Sequence, residues 1–154
     1  IAIGKDAEEL VKQTINLATL CICAEAVGCM ESCYSKTLEY TKGREQFGQP
    51  ISSFQVLQHR MVDMFMQYEQ SVSMTYMVNL KLDEDYAERR KAASGAKVQI
   101  AKAAKFIGQS AVQLHGGMGM TDELNVGHYF KRLSMIENSY GNIDHHLKKY
   151  SSAE

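Results

Sequence analysis

Ala93-Ser94-Gly95-Ala96-Lys97-Val98-Gln99-Ile100-Ala101-Lys102-Ala103-Ala104-Lys105-Phe106-Ile107-Gly108-Gln109-Ser110-Ala111-Val112-Gln113-Leu114-His115-Gly116-Gly117 is the stretch that decides the fold. Ala93, Ala96, Ile100, Ala103, Ala104, Ile107, Ala111 and Leu114 recur at steps of three and four, the period of a helix with one buried face. A face made mostly of alanine lets a neighbouring helix approach closely. Asp85 precedes the stretch with Glu88 three residues on, a capping-box spacing that starts the helix after the acidic turn Asp83-Glu84-Asp85. Gly116 and Gly117 stop it.

Working outward, two more long helices are expected. From Ala7 to about Lys42 only Gly28 interrupts the helical pattern, and such a helix measures about 54 Å. Asp6 is its expected cap, with Glu9 three residues on. Leu10, Thr14, Leu17, Cys21, Ala24, Val27 and Met30 form its apolar stripe, and Gly43 is its C-cap. Pro50, the single proline, breaks the chain. Ser52 with Gln55 offers a second capping box. The helix after it carries Phe54, Leu57, Met61, Met64, Phe65, Tyr68, Val72 and Tyr76 on one face and runs to about Leu82. Thr121 or Asp122 is expected to cap a fourth helix through about Leu133, and a last helix begins near Asn142. The reading is all-α: an up-and-down antiparallel bundle of three long helices plus shorter C-terminal helices, one domain over residues 1–154.

Composition narrows the classes. The chain has 154 residues and 45% apolar content, and nine methionines supply adaptable core volume. A domain of this size buries roughly 70% of its unfolded surface. A net charge of −1 offers no footprint for nucleic acid or an anionic membrane. There is no secretory pattern and no uncharged apolar run long enough to span a bilayer, which points to the cytoplasm, or the mitochondrial matrix in a eukaryote. The chain opens at Ile1, not Met, and reads as part of a longer protein.

Metal chemistry is not expected. Cys21, Cys23, Cys29 and Cys33 fall in one helix, and Cys29 and Cys33 share a face. They read as small buried thiols in a reduced compartment rather than as ligands. A di-iron bundle needs Glu-x-x-His, but Val56, Val112, Asn125, Asn142 and Ile143 stand three before the five histidines. His145 and His146 are read as solvated or capping.

Two segments carry the functional signal: Arg44-Glu45-Gln46-Phe47-Gly48 and Gln113-Leu114-His115-Gly116-Gly117-Met118-Gly119. The first places a cation just ahead of a helix start. The second ends a helix in a glycine turn rich in N–H groups. Either can hold a phosphate or the polar edge of a cofactor. They meet only if the chain folds back on itself. The glycine turn is not a dinucleotide fingerprint, because it follows a helix and not a strand.

Together the segments resemble the acyl-CoA dehydrogenase family, specifically its C-terminal helical domain. The resemblance covers essentially the whole chain. It runs through Tyr40, Arg44 to Ile51, Phe54-Gln55 and Asp63-Met64, then Gln113 to Gly119, Glu123, Val126, Tyr129 and Arg132. It implies a flavoprotein that removes the pro-R α-hydrogen of an acyl-CoA as a proton and passes a β-hydride to FAD N5, giving the trans-2-enoyl-CoA. It implies that Arg44 reaches the FAD pyrophosphate, where a guanidinium forks two oxygens. Phe47 resembles the phenylalanine beside the cofactor. Gln113 and Gly117 resemble contacts to the adenosine portion, made across a subunit interface, and Gln55 and Asp144 resemble further FAD contacts. A homodimer or homotetramer is implied, or a heterotetramer.

The chain departs from the family at the catalytic base. The usual glutamate before a glycine is here Tyr140, before Gly141. A phenol is a poor base at neutral pH. The family's alternative position corresponds to Ala18-Thr19, without a carboxylate, and Glu25 lies about two turns further along. Glu137 and Asp144 flank Tyr140. Asp144, one helical turn on, is the candidate base within this domain, so the catalytic residue stays open. The leading reading is the C-terminal domain of an FAD-dependent acyl-CoA dehydrogenase, inactive by itself because the flavin and thioester also need upstream domains. The alternatives are a non-catalytic subunit of a heteromeric dehydrogenase and a plain helical interaction module.

Overall fold

The computed structural model describes residues 3–152. Five helices dominate: α1 (Lys5–Gly43), α2 (Gln55–Leu80), α3 (Tyr86–His115), α4 (Val126–Asn138) and α5 (Ile143–Ser151). Between α1 and α2 lies a small antiparallel hairpin, β1 (Glu45–Gln46) with β2 (Gln49–Pro50). The hairpin is an addition to the expected all-α bundle. Its turn residues Phe47 and Gly48 both have positive φ, 55° and 77°, the backbone of a two-residue hairpin turn.

Helix α3 is the axis of the molecule and packs on α1, α2, α4 and α5. All eight residues of its expected face are buried, from Ala93 to Leu114. Tyr40 stacks on His115, so α1 and α3 end at the same level. Thr41 donates to Met61, and Gln99 donates to Gln67 and Gln70, so α2 runs the opposite way. Lys97 Nζ donates to the carbonyls of Ile136 and Glu137, which brings the end of α4 back to the first half of α3. Lys97 is 1% exposed, and burial lowers its pKa. Here it closes the open carbonyls at the end of a helix.

The faces of α1 and α2 differ from expectation. Leu10 and Leu17 are more than half exposed, and Cys21 and Ala24 are exposed too. The buried line is instead Asn16, Thr19, Ile22, Cys23, Ala26, Met30, Cys33, Thr37 and Thr41. Three of these are threonines whose hydroxyls donate to helix carbonyls, Thr19 to Ile15, Thr37 to Cys33 and Thr41 to Leu38. Satisfied in this way, a residue that reads as polar is buried at small penalty. On α2 the inner face is Met61, Met64, Ser71 and Val78, while Phe65 and Tyr76 are exposed. By length and composition, α1 also contains a stretch able to cross a bilayer, against the expectation of none; here its inner face packs on α3.

Caps hold in part. Asp85 accepts from the Glu88 backbone N–H at 3.0 Å, and Asn142 accepts from that of His145 at 2.9 Å. Asp6 lies inside the first turn of α1 behind Gly4, and Gly43 is helical, with Arg44 as the C-cap. Phe54, not Ser52, precedes α2, and Asn125, not Thr121 or Asp122, precedes α4; neither makes a side-chain cap. Cys23 and Cys33 are buried thiols, pushed up to about 12 by burial, whereas Cys21 is exposed.

Candidate functional site

A groove of about 520 Å³ opens at the end of the bundle where α1 and α3 finish. Arg44, Gln113, Gly116 and Gly117 line it, with Tyr40 and His115 as its aromatic wall. The two segments therefore meet. The backbone of Arg44 is fixed on both sides: its N–H donates to Tyr40 O and its carbonyl accepts from Ile51 N–H, both at 2.8 Å. Its side chain is exposed, and among the described residues no carboxylate pairs with it.

The expectation of a cation just ahead of a helix start is corrected by the hairpin and a short turn at Ile51–Ser53, which separate Arg44 from α2. The groove sits instead at the C-terminal ends of α1 and α3, where the helix dipoles are negative. Attraction for an anion must come from the guanidinium and from turn N–H groups. The turn Gly116–Met120 folds tightly onto α3. A Cβ at Gly119 would lie 2.6 Å from Val112 O, whereas one at Gly117 would meet nothing within 4 Å. Glycine at 119 is required for packing, and at 117 it leaves bare backbone open to the groove.

Phe47 and Gln55 lie near this end but outside the groove lining. Phe47 is 92% exposed at the hairpin tip, with its ring edge-on to Phe54 at 6.1 Å. A phenylalanine at positive φ stores roughly 1–3 kcal/mol of strain. Gln55 is exposed on the first turn of α2.

The region of Tyr140 is elsewhere. Lys97, which holds the end of α4, is about 24 Å from Gln113 along α3. Tyr140 has φ 57° and Gly141 φ 109°, so both stand in a turn ahead of α5. This removes the argument that placed Asp144 one helical turn from Tyr140, since Tyr140 is outside the helix. Asp144 is exposed in the first turn of α5. His146, read as solvated or capping, is instead 1% exposed. Its Nε2 donates to Tyr140 O at 3.1 Å, and its Nδ1 is buried without a partner. Burial, partly opposed by the Tyr140 carbonyl, lowers its pKa to about 4. Glu25 is held by Arg132 through two bonds of 2.5 and 2.8 Å, which lower its pKa and occupy both oxygens.

The sequence pattern gives His115 and Lys97 no role of their own and reads His146 as solvated or capping, whereas all three are buried in the fold. His115 lies within the segment Gln113 to Gly119, and its burial comes from packing against Tyr40. A larger groove of about 610 Å³ runs between α2 and α3 beside Met74 and Val98. Its glutamines Gln70 and Gln99 bond each other at 3.1 Å, so its polar rim is already satisfied.

The family model for the acyl-CoA dehydrogenase C-terminal domain matches residues 9–149. The chain is 35% identical over 117 residues to the acyl-CoA dehydrogenase IpdE2 of Mycobacterium tuberculosis, covering 76% of this chain and 35% of that protein. Butyryl-CoA dehydrogenase from Megasphaera elsdenii superposes with a TM-score of 0.87 at 26% identity, over 94% of this chain and 38% of that one. PigA with FAD and proline superposes with a TM-score of 0.82 at 29% identity, over 89% and 36%. The chain thus spans about a third of the length of these relatives.

Proposed function

Because this chain belongs to the acyl-CoA dehydrogenase family, as its C-terminal domain, we propose that it helps hold FAD in an enzyme that desaturates an acyl-CoA thioester between its α and β carbons. The observation that carries this is the groove. Arg44, Gln113 and Gly117 come from segments far apart in sequence and line one opening, and among the described residues no carboxylate pairs with the guanidinium. The residues fit part of a dinucleotide. A planar guanidinium suits two pyrophosphate oxygens, and the bare backbone at Gly117 admits close approach.

In this reading Arg44 binds the pyrophosphate, while Gln113 and Gly117 hold the adenosine portion. Phe47 packs beside the cofactor, and Gln55 makes a further polar contact. Bound FAD supplies the acceptor for the hydride leaving the β carbon. The domain by itself is inactive, and the enzyme is cytoplasmic or in the mitochondrial matrix.

The alanine face of α3 is spent inside the chain, so it does not build a subunit interface. The exposed apolar residues Leu10, Val11 and Leu17 of α1 and Val62, Phe65 and Met66 of α2 are the faces proposed to meet another subunit or domain. Reconstitution of the full-length apoprotein tests the reading: Arg44→Ala should retain less FAD than the wild type. Unchanged FAD affinity in that variant would overturn the reading.

Tyr140 favours a second reading, a subunit whose catalytic base comes from a partner chain. The turn carries a phenol, and Glu25 is engaged by Arg132. Asp144 is exposed at the start of α5 and suits either a base or a polar cofactor contact. Anaerobic flavin reduction by acyl-CoA in Asp144→Asn, with FAD occupancy measured in the same sample, separates these. Loss of reduction at full occupancy assigns a base, and loss of both assigns binding. Normal values in Asp144→Asn and in Tyr140→Phe eliminate both residues as the base.

A further inference from the structure

We propose that His146 is a positioning residue for the reaction: from inside the bundle it holds the Tyr140 carbonyl, and with it the angle at which the Tyr140–Gly141 turn meets the acyl thioester. The proposal rests on the reading of this domain as part of an acyl-CoA desaturating enzyme, with Tyr140 at the position of the family's usual glutamate. Tyr140 has φ 57° and Gly141 φ 109°. Among the described residues Tyr140 and Phe47 are the only non-glycines at positive φ. A bulky residue keeps such a backbone only where its surroundings impose it.

The surroundings are α5 and α3. Asn142 accepts from the His145 N–H at 2.9 Å, which starts α5 directly after the turn. The His145 and His146 rings stand edge-on with centroids 5.1 Å apart. Both border Gly141, where a Cβ would lie 2.4 Å from the first ring and 3.1 Å from Nε2 of the second. That Nε2 donates to Tyr140 O at 3.1 Å. Before the turn, Lys97 of α3 donates to the carbonyls of Ile136 and Glu137. Buried side chains from two helices thus hold both ends of the segment, while the Tyr140 side chain is half exposed.

Stability alone does not account for the histidine. A carbonyl only accepts, so Nε2 carries the hydrogen and Nδ1 of the neutral ring keeps its lone pair. Nδ1 is buried with no partner among the described residues. An orphaned buried acceptor costs at least as much as one neutral hydrogen bond contributes. A leucine would fill this buried position and leave no orphan. What the imidazole adds is the direction of one carbonyl. The Tyr140 carbonyl and the Gly141 N–H share one rigid peptide plane, so a bond to the first orients the second.

The test is anaerobic flavin reduction in the full-length holoprotein by butyryl-CoA, octanoyl-CoA and isovaleryl-CoA, with FAD occupancy and denaturant stability measured on the same samples. His146→Leu removes the donor. It should slow reduction per bound FAD roughly 10- to 100-fold, the effect of a misaligned site, with FAD occupancy unchanged. His146→Gln keeps an N–H within reach of the carbonyl and should recover most of the rate. A merely structural histidine would instead change stability and yield, and leave the rate per bound FAD as it is. If leucine disturbs the fold, His146→Met gives the same comparison. An unchanged rate in His146→Leu, or a rate in His146→Gln as slow as in His146→Leu, would overturn the proposal while leaving the FAD reading intact. A wild-type flavin reduced by none of the three thioesters would overturn both.

Discussion

The Arg44 groove and the Tyr140 turn are two regions of one domain that keep different things. At the groove polar groups stand open: the Arg44 guanidinium has no ion pair among the described residues, Gln113 is exposed and the backbone at Gly117 is bare. At the turn the framework is complete. Tyr140 and Gly141 hold positive φ, His146 fixes the Tyr140 carbonyl, and Lys97 closes the end of α4. What the turn lacks is a carboxylate at position 140. The difference teaches that one domain can hold open polar groups at one end and a turn closed by its own hydrogen bonds elsewhere. The turn does not depend on the Tyr140 side chain, because its hydrogen bonds are made by the Tyr140 carbonyl and by other residues.

The largest expected effect comes from attacking the turn. Gly141→Ala forces a Cβ to within 2.4 Å of the His145 ring at φ 109°. It should destabilise the protein by about 2–3 kcal/mol, read by denaturant melts, while the folded fraction keeps its FAD affinity. Equal loss at both regions would show that they are not independent.

Attacking the groove should do the reverse. Arg44→Ala should cost about 1.5–3 kcal/mol of FAD binding, or roughly ten- to a hundred-fold, from loss of a charge-assisted contact. The exposed side chain has no ion pair among the described residues, so thermal stability of the apoprotein should stay unchanged. Gln113→Ala should weaken binding less, since its contact is neutral. A larger effect at Gln113 than at Arg44 would place the phosphates elsewhere.

Acid should act on the turn before the groove. Burial lowers the His146 pKa to about 4, below the unfolded value near 6.5. The folded state therefore binds fewer protons, and this stability is fully present above pH 6.5 and is lost as pH falls toward 4. The wild type should lose stability across that window, and His146→Gln should show a flatter profile. An identical slope in the variant would remove His146 as the cause.

The smallest effect belongs to the Glu25–Arg132 pair, which ties α1 to α4 on the surface. Arg132 lowers the Glu25 pKa, so the stabilisation is present above the ordinary glutamate range and lost as pH falls through the lowered value. Solvent screens this pair, so Glu25→Gln should lower Tm only slightly at pH 7, and less at pH 3 or in high salt. A large loss at neutral pH would mean that the pair holds the α1–α4 packing.

How much was readable varied by helix. The eight residues read as the apolar face of α3 are all buried, but Ser94, Lys97, Val98, Ala101, Gly108, Ser110 and His115 are buried with them, because α3 packs on four helices and not on one side only. The face of α1 could not be read, because it carries apolar residues on two sides, and the threonines that choose the inner side read as polar. The residues of the groove were readable as motifs. The isolation of Tyr140 from that groove was not, since it depends on where Lys97 meets the end of α4.

By itself the sequence determined the helices, the Asp85 and Asn142 caps and the motifs of the family. Each depends on neighbours within a turn or two along the chain, or on residue types alone. Only the tertiary structure decided which side of α1 is buried, that Arg44 and Gln113 line one groove, and that His115 is buried against Tyr40. These depend on which surfaces meet after the chain folds back, and helical periodicity is the same whichever partner a face meets.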